Sequence, residues 1–436
     1  MDPALTKQTV STRNIVAAVI GNALEWYDFL VFAFMTPIVA KLFFPSNPDN
    51  PDDNINRILM TTAVFGVGFF MRPVGGILLG LYGDRKGRKA AMVMVTGLMA
   101  VAIALITLAP TYAAVGILAP LFIVLARLLQ GFAAGGEFGT STALLIELAP
   151  PGKRGFYGSW QMAGQMLALL IGAATGTLIT EIFTEEELMA WAWRVPFAVG
   201  LLIVPVALYI RRHVEEPEVF KEMQAAQASG KARQIGIMEM LRTHARETLV
   251  GMGLVVTATV SIYITFTYLV TYATVTLKLP MRDAFMVQMA GAALMVVIMP
   301  FFGALSDRIG RRTSMLFFGG LATLCVLPIM HALKDISSPY AAFGLIIIAL
   351  AIISFYTSIS GLIKAEMFPV EVRALGVGLS YAVANAMFGG SAEYVALQFK
   401  AWHVEDYFYW YVTIMCLISF IVAIRLPDPG RSGLLK

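Results

Sequence analysis

Charge is scarce in this chain. Of its 436 residues only 14% are Asp, Glu, Lys or Arg, against about 25% in ordinary soluble proteins. Cysteine is scarcer still. Cys325 and Cys416 are the only two, and they stand in separate apolar runs, so neither a disulfide framework nor a cysteine-based zinc site is available. The histidines His213, His244, His331 and His403 fall in polar breaks or near the ends of apolar runs, and no metal site is expected. There is no G-x-x-x-x-G-K-[ST]. The fragments Gly152-Lys153 and Gly230-Lys231 lack the spaced glycine and the following hydroxyl, which excludes a phosphate-cradling loop and ATP as a driving force. The net charge of +4 is too small for a nucleic-acid-binding surface. A soluble enzyme, a disordered chain and a secreted disulfide domain are excluded together.

What is present is apolar residue in long runs, 58% of the chain. A helix crossing a bilayer needs about 20 such residues, and twelve runs qualify. They cover 14–41, 57–82, 90–109, 115–148, 156–180, 193–211, 246–273, 283–305, 313–333, 340–364, 374–399 and 406–425. No cleavable signal precedes the first, which is expected to be retained as a helix. The longest polar stretch, 212–245, divides the runs into a six-span half at 1–211 and another at 246–436. The expected fold is therefore all-α and integral to the membrane, with twelve helices in two halves and a connector. With the N-terminus inside, the inner loops and tails hold 23 of the 32 Lys and Arg residues and the outer side seven. That bias predicts cytoplasmic termini.

The halves repeat one another. Gly80-Leu81-Tyr82-Gly83-Asp84-Arg85-Lys86-Gly87-Arg88-Lys89 returns 223 residues later as Gly303-Ala304-Leu305-Ser306-Asp307-Arg308-Ile309-Gly310-Arg311-Arg312. Glu147, Pro150 and Arg154 return 219 residues later as Glu366, Pro369 and Arg373. Positive-inside charge accounts for the basic residues but not for the fixed Gly, Asp and Pro positions. Two patterns at nearly one offset signal duplicated halves, and halves of this kind place a substrate site near the midplane between them. The repeated residues read as an inner gate: Asp84, Arg88, Glu147 and Arg154 in one copy, Asp307, Arg311, Glu366 and Arg373 in the other.

Charges inside the spans are costly, about 2.5–3.5 kcal/mol each at mid-span, and so call for a partner and a task. Glu25 and Asp28 share a helix face with Asn22 in span one. Two carboxylates so close favour protonation of one of them, as a proton-carrying site requires. Arg127, Gln130, Ala134, Glu137 and Ser141 form a stripe on span four. The simplest pairing sets Asp28 against Arg127, either as a proton-coupling pair or as a static bridge. Arg72, before Pro73 in span two, either forks a substrate carboxylate or pairs with Glu137 or Glu25. Glu393 in span eleven is either structural or functional. Arg72 and Arg127 are the two cations expected within the spans. The neutral stripes Gln161–Gln165, Thr257-Ser261-Thr265-Tyr268-Tyr272 and Tyr356-Ser360-Lys364 either line a cavity or join helices.

The doubled G-x-x-x-D-R-x-G-R-[KR] resembles the signature of the major facilitator superfamily. Further stretches resemble its metabolite:proton symporter family: Gly21-Asn22-Ala23-Leu24-Glu25-Trp26-Tyr27-Asp28-Phe29, Met71-Arg72-Pro73, Arg127-Leu128-Leu129-Gln130-Gly131 with Gly135-Gly136-Glu137, and Trp193-Arg194-Val195-Pro196-Phe197. Within that family, Ser354 to Gly361 and Ala384 to Glu393 are similar to carriers of alpha-ketoglutarate, whereas Ser159 to Gln165 look more like carriers of citrate and tricarballylate. The resemblance implies proton-driven uptake of a small organic acid across a bacterial inner membrane by a monomer, with no cofactor. It also implies that Gln161, Gln165, Tyr356 and Asn385 help Arg72 and Arg127 to line the substrate site. A facilitator or exchanger of the same fold without proton coupling, a symporter of a zwitterionic osmolyte or of a shikimate-like acid, and a membrane enzyme are the competing readings. For the last, the spans offer no nucleophile–base pair.

Overall fold

The structure, a computed structural model, describes residues 12–45, 53–229, 235–263, 281–335, 339–389 and 404–425, together with 398, 399 and 402. Its helices follow the apolar runs. In the first half α1 spans Thr12–Phe34 and, after a break at Met35 that places Pro37 in the next first turn, continues as Thr36–Phe43. There follow α2 (Asp53–Lys86), α3 (Arg88–Thr107), α4 (Leu118–Leu148), α5 (Arg154–Ile182) and α6, the last in two pieces, Arg194–Gly200 and Ile203–His213. Two short helices, Glu218–Ala228 and Ile237–Thr243, form the connector. The second half has α7 (Ala245–Tyr263), α8 (Met281–Ile309), α9 (Arg311–Asp335), α10, α11 and α12 (Glu405–Arg425). Helix α10 is broken into α10a (Pro339–Thr357) and α10b (Ser360–Met367), and α11 (Arg373–Ala384) continues as a wider turn over Asn385–Gly389.

Only helices satisfy every backbone group within a lipid-exposed segment, so apolar runs of this length become helices. Ten of them are long and apolar enough to cross a membrane, counting described residues alone. The remaining two, α7 and α11, lead into residues outside that description, where Thr265, Tyr268, Tyr272 and Glu393 also lie. The outer surfaces of the spanning helices suit lipid: Phe70 of α2 is 81% exposed, Val297 of α8 72% and Leu324 of α9 73%, a pattern that water would penalise.

The two halves meet along α2 and α4 against α11, and along α5 against α8. Between them lies a shared apolar core in which Phe138, Met162 and Met166 of the first half pack with Met295, Leu350, Leu362 and Tyr381 of the second. The tight α2–α3 and α8–α9 turns are made at Gly87 (φ +112°) and Gly310 (φ +93°), a backbone region that side chains rarely tolerate. This is the physical reason for glycine at the same place in both repeats.

Candidate functional site

Five charged side chains gather between α1, α2 and α4: Glu25, Asp28, Arg72, Arg127 and Glu137, each no more than 2% exposed. Helix α1 runs antiparallel to α4, so successive turns of one meet successive turns of the other. Asn22 Nδ2 donates to Glu137 Oε1 at 2.8 Å. A turn and a half further along, the Gln130 amide donates to Asp28 Oδ2, while Arg127 Nη1 donates to Gln130 Oε1 at 2.6 Å. Gln130 thus bridges Asp28 to Arg127. It can do so because an amide offers a donor and an acceptor at once. The sequence placed Gln130 on the right stripe but gave it no role.

Arg72 makes no hydrogen bond to Glu25 or Glu137, though it lies within electrostatic range of Glu25. Its guanidinium carbon lies 4.6 Å from the Phe29 ring, 4.3 Å from Phe69 and 5.5 Å from Trp26. Its Nε and Nη1 have no hydrogen-bond partner. Cation–π contacts of this kind hold a guanidinium without neutralising it. Arg127 is cradled in the same manner by Phe29 and Phe32, both at 4.6 Å. Both carboxylate oxygens of Glu25 also lack a hydrogen-bond partner, and the group stands within electrostatic range of Glu137, Arg72 and Asp28.

The expectation of two intramembrane cations needs correction. Lys364, counted by sequence among the inner basic residues, is 1% exposed in α10b. Its Nζ sits 4.6 Å from the Phe138 ring and 5.4 Å from the Tyr381 ring. Those rings stack at 3.7 Å across the two halves. The available signal was its position four residues after Ser360 within an otherwise apolar run.

The neutral candidates divide. Gln161 is buried at the contact between halves. Its Nε2 donates to Ser141 Oγ at 2.8 Å, and its Oε1 accepts from Thr142 at 2.6 Å. Gln165 lies one turn on, with Nε2 unpartnered. Asn385 caps the end of α11 with its Oδ1 unpartnered. Tyr356 is not brought to this place. It packs in the second half's own core and stacks on Phe318 of α9 at 5.3 Å.

At the connector side of the molecule the repeated motifs lock the halves together. Arg88 Nη1 meets Asp84 Oδ1 at 2.5 Å, and its Nε meets Glu147 Oε2 at 3.2 Å. Arg373, from the other half, meets Glu147 Oε1 at 2.7 Å. Asp84 accepts the backbone N–H groups of Ala374 (3.0 Å) and Leu375 (2.8 Å), the first turn of α11. The second copy does the same in mirror fashion. Asp307 accepts the N–H groups of Gly155 (2.7 Å) and Phe156 (2.9 Å) at the start of α5. Arg311 holds Asp307 at 2.8 Å and reaches Glu366 at 3.6 Å. Each aspartate thereby caps a helix N-terminus in the opposite half, where free amides and the helix dipole favour an anion. Arg154, half-buried at the head of α5, stands within electrostatic range of Glu366. The connector adds a clasp that sequence did not suggest. Glu216 accepts from the N–H groups of Arg88 and Lys89 at the start of α3, and Phe220 lies 5.2 Å beneath Arg88. Burial, outweighing those N–H groups, pushes the Glu216 carboxyl above the usual range.

A model of the Major Facilitator Superfamily matches residues 29–392. The chain belongs to the major facilitator superfamily. It is 42% identical over 436 residues to the alpha-ketoglutarate permease of Escherichia coli (strain K12), covering 99% of this chain and 97% of that one. It is 35% identical over 370 residues to the citrate-proton symporter of Klebsiella pneumoniae, covering 85% and 81%. Among solved structures it resembles the proton:xylose symporter XylE bound to 6-bromo-6-deoxy-D-glucose, with a TM-score of 0.77, 17% identity and 96% of each chain covered. The fold is the twelve-helix fold of the superfamily, and the chain is a transporter rather than an enzyme.

Proposed function

We propose that this transporter imports a small di- or tricarboxylic acid together with a proton, with 2-oxoglutarate ahead of citrate. The observation that carries the reading is the buried relay Asp28–Gln130–Arg127, in a chain 42% identical to an alpha-ketoglutarate permease. A carboxylic acid crossing the membrane needs cations at the midplane, because a bare carboxylate there is prohibitive. Two arginines held on aromatic rings meet that need. Arg72 Nε and Nη1 have no hydrogen-bond partner, so an incoming carboxylate can take that arginine as a bidentate fork. Asp28 supplies the coupling. While ionised, it competes through Gln130 for Arg127. Once protonated it releases that arginine to the substrate, so proton and acid bind together. Gln161, Gln165 and Asn385 offer further donors.

The connector side is taken as cytoplasmic, following the 23-to-7 distribution of basic residues. The conformation is then one closed to the cytoplasm, with the motif network as its latch. The setting would be a bacterial inner membrane, the working unit a monomer, and the only drive the proton gradient.

The test is uptake into proteoliposomes under an imposed pH gradient, with 2-oxoglutarate, citrate, tricarballylate, shikimate and betaine compared. Accumulation of a di- or tricarboxylate that requires the gradient is the expected result. Uptake without dependence on the gradient identifies a facilitator. Tight binding of betaine without competition from any carboxylic acid contradicts the reading altogether.

A further inference from the structure

Lys364 is a buried titratable group that the relay leaves unused. Four features of its surroundings bear on a role. It is 1% exposed, yet it forms no hydrogen bond or ion pair with another described residue; its contacts are the Phe138 and Tyr381 rings. It belongs to α10b, an eight-residue half-helix that begins inside the membrane after the break at Ser358 and Ile359. The Ser358 hydroxyl at that break is 2% exposed and has no hydrogen-bond partner. Finally, the first turn of α10b faces the other half. Gln161 Oε1 and Thr142 stand 3.0 Å from where a Cβ on Gly361 would lie.

A helix that starts within a membrane presents unpaired amides and the positive end of its dipole, the device by which broken helices hold anionic substrate groups. Side chains on a helix lean toward its N-terminus, so Lys364 leans toward that same first turn. Burying an ammonium without a counter-ion is costly, and the two rings offset only part of the cost. The backbone levels of the two sites can be compared along α4. The Arg72 carbonyl touches α4 at Gly135, three residues from Phe138. At about 1.5 Å per residue the backbone at Arg72 and the ring that holds Lys364 differ by roughly 4.5 Å along α4, and the Arg72 guanidinium lies further off, against Phe69 and Phe29.

We propose that Lys364, with the Ser358 hydroxyl and the first turn of α10b, is the second half's binding site for one carboxylate of the substrate. The other carboxylate goes to the arginines of the first half. This rests on the organic-acid reading above and deepens it. A dicarboxylate then spans the two halves, and the transporter selects acids with two carboxylates because a monocarboxylate leaves Lys364 buried and unmatched. The Phe138–Tyr381 stack carries the cation while the site is empty.

The experiment uses full-length protein in proteoliposomes and compares 2-oxoglutarate with 2-oxopentanoate, which keeps the chain and the keto group but lacks the distal carboxylate. In the wild type, 2-oxoglutarate is preferred. Lys364→Met should raise its KM by about ten- to a hundredfold, the loss of one charge-assisted contact. It should leave 2-oxopentanoate unchanged and so abolish the preference, and Lys364→Arg should restore much of it. Because an apolar residue in place of an unpaired buried charge favours folding, Lys364→Met should melt no lower than the wild type. A Lys364→Met protein that fails to fold, or that keeps both KM and preference, assigns the lysine to packing and overturns the proposal. A wild type that transports no carboxylic acid overturns instead the reading on which it rests.

Discussion

At the scale of single residues, coupling is assigned to a hydrogen-bonded amide as much as to a charge. Gln130 both donates to Asp28 and accepts from Arg127. Replacing it with Leu removes both bonds, an expected cost of about 1–3 kcal/mol. The consequence should be seen in coupling before it is seen in binding: Gln130→Leu should show a lower ratio of protons to substrate moved. Asp28→Asn makes the complementary case. It holds the released-arginine state permanently, so exchange of internal for external substrate should persist while accumulation against a gradient is lost. Measuring the two modes in one vesicle preparation separates these outcomes, and an Asn variant that accumulates substrate normally would place the proton elsewhere. Sequence reading found Asp28, Arg127, Glu25, Glu137 and Arg72 because a charge in an apolar run stands out. It set Asp28 against Arg127 but did not foresee the Gln130 amide between them. Contact across helices depends on rotation and rise at each crossing, which a single chain's periodicity does not contain. Tyr356 illustrates the gap: its spacing allowed a cavity lining or a helix contact, the resemblance implied the lining, and the side chain lies in the second half's core.

At the scale of elements, the proposed latch is two aspartates capping two helices of the opposite half. Neutralising Asp84 removes its ion pair with Arg88 and weakens two amide contacts to α11. Asp84→Asn should shift the population toward the connector-side-open state by about tenfold or more. Thiol labelling of a cysteine placed on that side should quicken accordingly, and unchanged labelling would remove the latch role. Close approach makes a second prediction. A Cβ on Gly303 would lie 2.4 Å from the Gly155 carbonyl oxygen, so Gly303→Val should hold α5 and α8 apart and block closure on that side. The connector clasp should respond to pH. The folded-state carboxyl of Glu216 titrates above its ordinary value because burial disfavours the ion. The docked connector therefore binds that proton more tightly than an undocked one. Docking is strongest below the ordinary carboxylate value and weakens as pH rises through the raised one. Hydrogen exchange of the Glu218–Ala228 helix should increase over that window, and Glu216→Gln should flatten the response. The motif glycines and aspartates were legible in the sequence because they repeat. The clasp was not, since Glu216 occurs once and lies in a polar stretch where acidic residues are expected.

At the scale of the molecule, twelve apolar runs, a polar divide and a doubled motif were enough to predict the fold, because a bilayer permits few other structures for such a chain. The proposed function depends on how the halves share charge. The first half holds carboxylates, arginines and the relay, while the second contributes Lys364 and the broken helix. A two-headed acid would bind both, and its two ends would draw the halves toward one another only when Asp28 is protonated. The most direct measurement is proton movement on substrate addition in proteoliposomes loaded with a pH-sensitive dye, with no gradient imposed at the start. With the membrane potential clamped, adding 2-oxoglutarate outside should acidify the lumen at once, and Asp28→Asn should abolish that signal while still exchanging labelled 2-oxoglutarate. Entry of 2-oxoglutarate with no change in internal pH would contradict the account.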